Sequence, residues 1–219
     1  MTRPGARAGS PAPGDSGVAV AAVLLCAGEG TRFSDGHKLL ADFRGRPLAA
    51  WAVEPVLDAG LPLVVVAGAT DLSEVLAPFG PAVTVLENPR WRDGQAASLR
   101  AGLAWCDARG YVAAVVGLGD QPLVPPTAWR TVAATTLAPI VTASFGGRRR
   151  PPVRLGREVW PLLSAEGDEG ARELMRRRPD LVAEVACEGD PADVDTVEDL
   201  LTHDRQEGAS VGGRRSEVN

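Results

Sequence analysis

Val18–Cys26 and Val112–Leu118 read VAVAAVLLC and VAAVVGL, continuous apolar runs of strand length in which no polar residue alternates. A strand with one wet face alternates polar with apolar. One that does not is buried on both faces, and such strands belong to parallel sheets covered by helices. Leu63–Ala67 is a third run of this kind, and helical patterns lie between the strands. Leu48–Ala59 has Pro47 suited to its first turn and Gly60 to its end. In Gln95–Ala108, Leu99, Leu103 and Cys106 share a face, and Gly110 follows. Leu72–Leu76 reads as a short helix, Val83–Leu86 as strand, Thr127–Thr136 as helix and Ile140–Ser144 as extended chain. Gly170–Arg177 reads as helix and Val182–Ala186 as a final strand, with Thr196 capping a closing helix from Val197. Strand alternating with helix predicts an α/β fold with a largely parallel sheet covered on both faces. In such sheets ligands sit beyond the carboxyl ends of the strands, here the turns after Cys26 and Leu118.

The chain of 219 residues suffices for one such domain. Residues 1–17 and 204–219 are polar, rich in Gly, Ser or Arg, and lack periodicity; they are expected to be disordered tails around a domain spanning 18–203. No apolar run approaches the roughly 20 residues of a membrane span. The charged start followed by Val18–Ala27 imitates a signal peptide, but cleavage after Ala27 would remove the first strand. Cys26, Cys106 and Cys187 are odd in number and widely spaced, as expected of free thiols in a reducing, cytoplasmic setting. A net charge of −5 argues against an electrostatic grip on nucleic acid, and Arg148–Arg150 and Arg176–Arg178 read as solvated surface. Of the 23 basic residues only Lys38 is lysine, a compact point charge suited to a phosphate.

After the first strand the chain reads Ala27-Gly28-Glu29-Gly30-Thr31-Arg32-Phe33, with Lys38 five residues on. Small residues at 27, 28 and 30 let backbone N–H groups approach an anion, and Arg32 and Lys38 add positive charge. The spacing is not a P-loop. It also fails the dinucleotide fingerprint, because Phe33 stands where glycine is needed. A glycine-rich turn with incidental charges is the competing reading. After the second strand, Gly119-Asp120-Gln121-Pro122 puts a carboxylate at the strand's end, suited to Mg²⁺; a plain turn residue is the alternative. Asp193-Val194-Asp195 sets two carboxylates on one side of an extended segment, and Asp195 is a candidate second metal ligand. A helix entrance explains the same residues.

Six fragments in order resemble the sugar-nucleotidyltransferase-like superfamily, and within it the molybdenum cofactor cytidylyltransferases. They are LCAGEGTRF from Leu25, HKLL from His37, NPRWRDGQAASLRAGL from Asn88, GDQPLV from Gly119, GDEGAR from Gly167 and DVDTVEDL from Asp193. The resemblance implies a three-layer α/β/α Rossmann-like nucleotidyltransferase fold with a mostly parallel mixed sheet. It implies that Ala27, Gly28, Gly30, Thr31, Arg32 and Lys38 hold a triphosphate and that Gly94 and Ser98 lie beside base and ribose. Asp120 becomes the principal Mg²⁺ ligand and Asp195 a second, with Arg32, Lys38 and Asp120 as catalytic residues. The implied substrates are CTP and a molybdopterin-type phosphorylated acceptor, with a molybdoenzyme as a further partner. Three positions depart from the pattern. Cys26 opens the loop where relatives have Ala-Ala-Gly or Ala-Gly-Gly, His37 replaces a proline before the lysine, and Arg150-Pro151-Pro152 stands where Gly-His-Pro is usual. The missing second glycine favours cytidine over guanosine.

The chemistry so implied is attack of an acceptor phosphate on the α-phosphorus of Mg-CTP with loss of pyrophosphate, which requires alignment and charge stabilisation but no general base. Three other readings are compatible with the sequence. One is transfer from GTP or to another phosphorylated acceptor, one a pigment-reducing oxidoreductase on this fold, and one a molybdoenzyme-binding protein without turnover. His37 and His203, the only histidines, read as incidental and not as metal ligands or proton shuttles.

Overall fold

The structure is a computed structural model and describes residues 20–30, 36–196 and 198–199. The two expected tails lie outside the described residues. Among the described residues, nine strands and five α-helices follow in order. They are β1 (Val20–Cys26), β2 (Asp42–Phe43), β3 (Arg46–Pro47), α1 (Leu48–Asp58), β4 (Leu63–Ala67), α2 (Ser73–Leu76) and β5 (Val83–Glu87). Then come α3 (Gln95–Ala108), β6 (Ala113–Leu118), α4 (Pro126–Ala134), β7 (Ile140–Phe145), β8 (Arg148–Gly156), α5 (Ala171–Arg177) and β9 (Val182–Ala186). Apart from the β2–β3 hairpin, the strands form one seven-stranded sheet in the order β5-β4-β1-β6-β8-β7-β9. β1 pairs in parallel with both β4 and β6, which explains its unbroken apolar sequence: it is an interior strand with both faces covered.

Alternation along β1 divides the core. Ala22, Leu24 and Cys26 join α1 and α4 on one face, where Val53, Val56, Trp129 and Val132 are buried. Ala21 and Val23 join α3 and α5 on the other, with Leu99, Leu103, Cys106 and Leu174. The result is the expected three-layer α/β/α arrangement. Helix and strand bounds agree with the sequence reading to within one or two residues, the usual uncertainty of an element's end.

β8 is the exception. It runs antiparallel to both β6 and β7 and makes the sheet mixed, whereas from sequence Arg148–Arg150 read as solvated surface. Those arginines are exposed but extended and paired: Arg148, Arg149 and Arg150 face Phe145, Ser144 and Ala143. The register shifts between Thr142, which faces Val153, and Ala143. Pro151 and Pro152 fall in that irregularity, the place in a sheet where a residue lacking N–H is tolerated.

Candidate active site

The turns after β1 and β6 converge because their strands are neighbours. Gly119 N–H donates to Leu25 O at 3.0 Å, and a Cβ at Gly119 would collide with Cys26 Sγ. Glycine therefore lets the end of β6 close onto the end of β1, which fixes Asp120 beside the Ala27–Gly30 turn. Val194 N–H donates to Asp120 O at 2.9 Å. Its side chain is buried with Phe43 and Leu48, leaving Asp193 and Asp195 to face the strand ends. Lys38 opens the short 3₁₀ turn Lys38–Leu40. Its Nζ lies 2.5 Å from Asp120 Oδ2 and 3.1 Å from Asp195 Oδ1.

One ammonium is thus shared by two carboxylates from distant parts of the chain. Burial works to lower the Lys38 pKa, but the charges of Asp120 and Asp195 and its hydrogen bonds to them outweigh burial and hold it above the ordinary lysine value. The lysine is a fixed cation and not a base. Asp120 Oδ1 is buried with no hydrogen-bond partner among the described residues, which is costly for a carboxylate oxygen unless a cation or water completes it. Cys26 is an inert thiol, since burial and then the Asp120 charge push its pKa far up. The three cysteines are free.

These groups open on a cavity of about 660 Å³ lined by Ala27, Gly28 and Gly30 on one side and Gly94 and Ser98 on another. Its charged lining comprises Glu29, Asp120, Asp168 and Asp195 against Lys38 and Arg92. Thr31 and Arg32 lie outside the described residues. No group of three or more ligating His, Cys, Asp or Glu side chains occurs among the described residues. In the described lining of the cavity, Asp120 and Asp195 bring two carboxylates onto one cation, Lys38.

Several lining or supporting residues were missed in the sequence. His37 Nδ1 accepts from Leu39 N–H at 3.3 Å. This tautomer leaves Nε2 to donate to Gly28 O at 2.9 Å. The ring therefore ties Gly28 to the start of the Lys38–Leu40 turn, a supporting contact and neither metal ligation nor proton transfer. Its pKa is lowered by burial, a shift that the Gly28 carbonyl opposes and the Lys38 charge assists. Asn88 Nδ2 donates to Ser98 Oγ at 3.0 Å, with both residues buried. Trp91 lines the cavity, capped by the Arg92 guanidinium 4.2 Å from its ring centre. Gly94 has φ 97° and ψ 178°, and a Cβ there would lie 2.5 Å from Gly167 O. Ala96 N–H donates to Gly167 O at 2.9 Å, and Gly167 N–H to Asp93 O at 3.1 Å. The GDEGAR segment is accordingly a clasp on the start of α3.

A second cavity, of about 750 Å³, shares Leu25, Gln95 and Leu118 with the first. Asp193 lines it and accepts from Gln121 Nε2 at 2.8 Å. Burial of that carboxyl and then the Asp120 charge raise its pKa. The paired carboxylates of Asp193 and Asp195 are thus divided between the cavities.

Residues 22–182 match the family described as the MobA-like NTP transferase domain. The nicotine blue oxidoreductase of Paenarthrobacter nicotinovorans is 31% identical over 194 residues, covering 83% of this chain and 94% of that protein. Among solved structures, Rv0371c of Mycobacterium tuberculosis H37Rv in complex with manganese is similar at 28% identity and a TM-score of 0.69, over 84% of this chain and 96% of that one. A nucleotidyl transferase from Methanothermobacter thermautotroptrophicus shares the fold at 23% identity and a TM-score of 0.74, over 89% and 100%. The agreement spans strands β1 to β8, helices α1 to α5 and both convergent turns, and by it this chain belongs to the MobA-like NTP transferase family.

Proposed function

We propose that this protein is a Mg²⁺-dependent nucleotidyltransferase that transfers CMP from CTP to the phosphate of a molybdopterin-type acceptor. The observation that carries the reading is the Lys38 ammonium held between Asp120 and Asp195 beside the Ala27–Gly30 backbone. With four carboxylates against two cations in its described lining, the cavity repels a bare triphosphate and accepts one that arrives with its metal. Asp120 and Asp195 would hold that metal, and the unpartnered Asp120 Oδ1 fits the role. Two carboxylates suffice because Mg²⁺ usually completes its shell with phosphate oxygens and water. When bound, the metal supplies charge neutralisation at the phosphates. Manganese in the related Rv0371c structure supports a divalent ion here.

Lys38 neutralises charge on the departing phosphates, joined by Arg32. Backbone N–H groups of Ala27–Gly30 cradle the triphosphate, while Gly94 and the Asn88–Ser98 pair set the edge of the nucleoside pocket. An acceptor phosphate oxygen forms a new bond to the α-phosphorus. The bond from that phosphorus to the bridging oxygen breaks, and its electron pair leaves on pyrophosphate. No proton needs a resident base, consistent with a lysine held charged and a thiol held neutral.

The test is pyrophosphate release from each of the four NTPs with Mg²⁺ or Mn²⁺, with and without molybdopterin. Release with CTP that depends on molybdopterin supports the proposal, whereas silence with every NTP defeats it. Release with GTP, or with a different phosphorylated acceptor, would keep the chemistry and replace the substrate. The relative named as an oxidoreductase favours a second reading, reduction of a pigment. That reading requires nicotinamide or flavin binding and no pyrophosphate, and Phe33 breaks the fingerprint a dinucleotide would use.

A further inference from the structure

Arg90, Arg92 and Asp93, in the turn between β5 and α3, stand beside Glu166 and Asp168 of the segment that clasps the start of α3. Arg90 engages two of the acids, with Nε 2.6 Å from Asp93 Oδ2 and Nη2 4.0 Å from Glu166 Oε1. Arg92 and Asp168 are left over: neither side chain has a hydrogen bond or salt bridge among the described residues. They are also the two of the five that line the first cavity.

The main chain sets where these two charges stand. Gly68, just past β4, has no room for a Cβ, which would fall 2.6 Å from Trp91 Cβ and 2.9 Å from Ala27 Cβ. The root of Trp91 is thereby seated against the turn that leaves β1. The Arg92 guanidinium carbon lies 4.2 Å from the centre of the Trp91 ring. That attraction holds the cation in place without consuming its N–H donors. On the other flank, Asp168 Oδ1 stands 2.7 Å from the position a Cβ would take on Gly94. The bonds of Gly167 with Asp93 and Ala96 fix the backbone that carries it. A fork of donors and a carboxylate acceptor therefore flank Gly94, at the edge of the nucleoside pocket.

We propose that Arg92 and Asp168 read the base of the nucleotide and select cytosine over uracil, with Arg92 donating to O2 and N3 and Asp168 accepting from the 4-amino group. The proposal rests on the nucleotidyltransferase reading and names the residues that decide its choice of pyrimidine. Cytosine and uracil share one outline and differ only along this edge. Uracil would turn its N3–H toward the donors of Arg92 and its O4 toward the carboxylate of Asp168. Opposed polar groups of this kind reject an analogue that shape alone cannot. A good bidentate contact to a base edge discriminates by about 5–150-fold.

The experiment measures affinities and not turnover. The full chain is titrated by calorimetry with Mg-CTP and with Mg-UTP. The wild type should bind CTP at least tenfold more tightly. Asp168→Asn supplies an amide that can donate to O4, so the ratio should shrink at least fivefold, chiefly through tighter UTP binding. Arg92→Gln should shrink it at least fivefold through weaker CTP binding, and Arg92→Lys, which keeps the charge but not the fork, should not restore it. Equal binding of the two nucleotides by the wild type, or a ratio unmoved by either substitution, would overturn the proposal. So would an Arg92→Gln loss that is equal for both nucleotides and recovered in Arg92→Lys, since that pattern marks a phosphate contact. Arg92 and Asp168 are exposed, and unchanged circular dichroism should show that the fold is retained. Absence of pyrophosphate release with every NTP would sink the transferase reading; release that persists beside an unmoved ratio would sink this proposal alone.

Discussion

Replacing His37 isolates a contribution that the metal and phosphate groups do not share. In His37→Ala two hydrogen bonds disappear together, the one to Gly28 O at 2.9 Å and the one from Leu39 N–H at 3.3 Å. Neither is deeply buried, so each belongs at the lower end of the net range, about 0.5–1 kcal/mol. Their sum, about 1–2 kcal/mol, is the bias that the ring supplies toward holding Gly28 against the Lys38–Leu40 turn. If a nucleotide binds only that arrangement, its dissociation constant rises by about 5–30-fold, while kcat changes less than twofold because Lys38, Asp120 and Asp195 are untouched. His37→Asn keeps an acceptor near Leu39 N–H, and His37→Gln keeps a donor near Gly28 O, so each should recover part of the loss. Acid should reproduce part of the alanine effect, because a proton on Nδ1 ends acceptance from Leu39 N–H while Nε2–H still donates to Gly28 O. The folded-state pKa of His37 lies below its ordinary value of 6.5, chiefly through burial and then the Lys38 charge, against the Gly28 carbonyl, which raises it. The Leu39 half of the clasp is therefore complete above pH ~6.5 and is lost as pH falls through the lower folded value. Calorimetric titration with CTP across that range should show weakening in the wild type that is absent in His37→Ala. Equal affinity of the two proteins at neutral pH would refute the clasp.

Three further outcomes follow from the site. Asp120→Asn keeps the shape of the side chain but removes a buried charge, and pyrophosphate release should fall by about 10²–10³ at ordinary Mg²⁺; near-normal turnover would place the metal elsewhere. Lys38→Met removes the ammonium that occupies Asp120 and Asp195, so nucleotide-free Mn²⁺ binding, measured by calorimetry, should tighten while turnover falls by a similar 10²–10³; unchanged metal affinity would count against a shared site. Gly94→Ala forces a side chain into a backbone conformation at φ 97° and against Gly167 O, so it should cost at least about 1–3 kcal/mol. Thermal unfolding should show a fall in Tm of several degrees.

The parts legible in the sequence are those where chemistry is local. β1, β4 and β6 announce themselves because an interior parallel strand has no reason to alternate, and the convergence of their turns follows from adjacency in the sheet. β8 is illegible because its identity comes from partners. Exposed arginines and two prolines at a register shift carry no strand signal until β7 lies alongside. His37 escapes notice for a related reason: both groups that it engages are backbone, and only its place before the Lys38–Leu40 turn, where a side chain caps the next N–H, hints at the role. The bonds of Asp93 and Ala96 with Gly167, on either side of Gly94, join residues more than seventy positions apart through main chain alone. That leaves no trace in side-chain type beyond the glycines themselves.

The two cavities have opposite charge balance and a common wall: Glu29, Asp120, Asp168 and Asp195 stand against Lys38 and Arg92 in the first, and Arg149, Arg150, Arg172 and Arg176 against Glu169 and Asp193 in the second. On the proposed nucleotidyltransferase reading, the acidic balance of the first cavity favours a triphosphate that carries its metal over a bare one. Leu25, Gln95 and Leu118 line both cavities and add no formal charge to the wall between them.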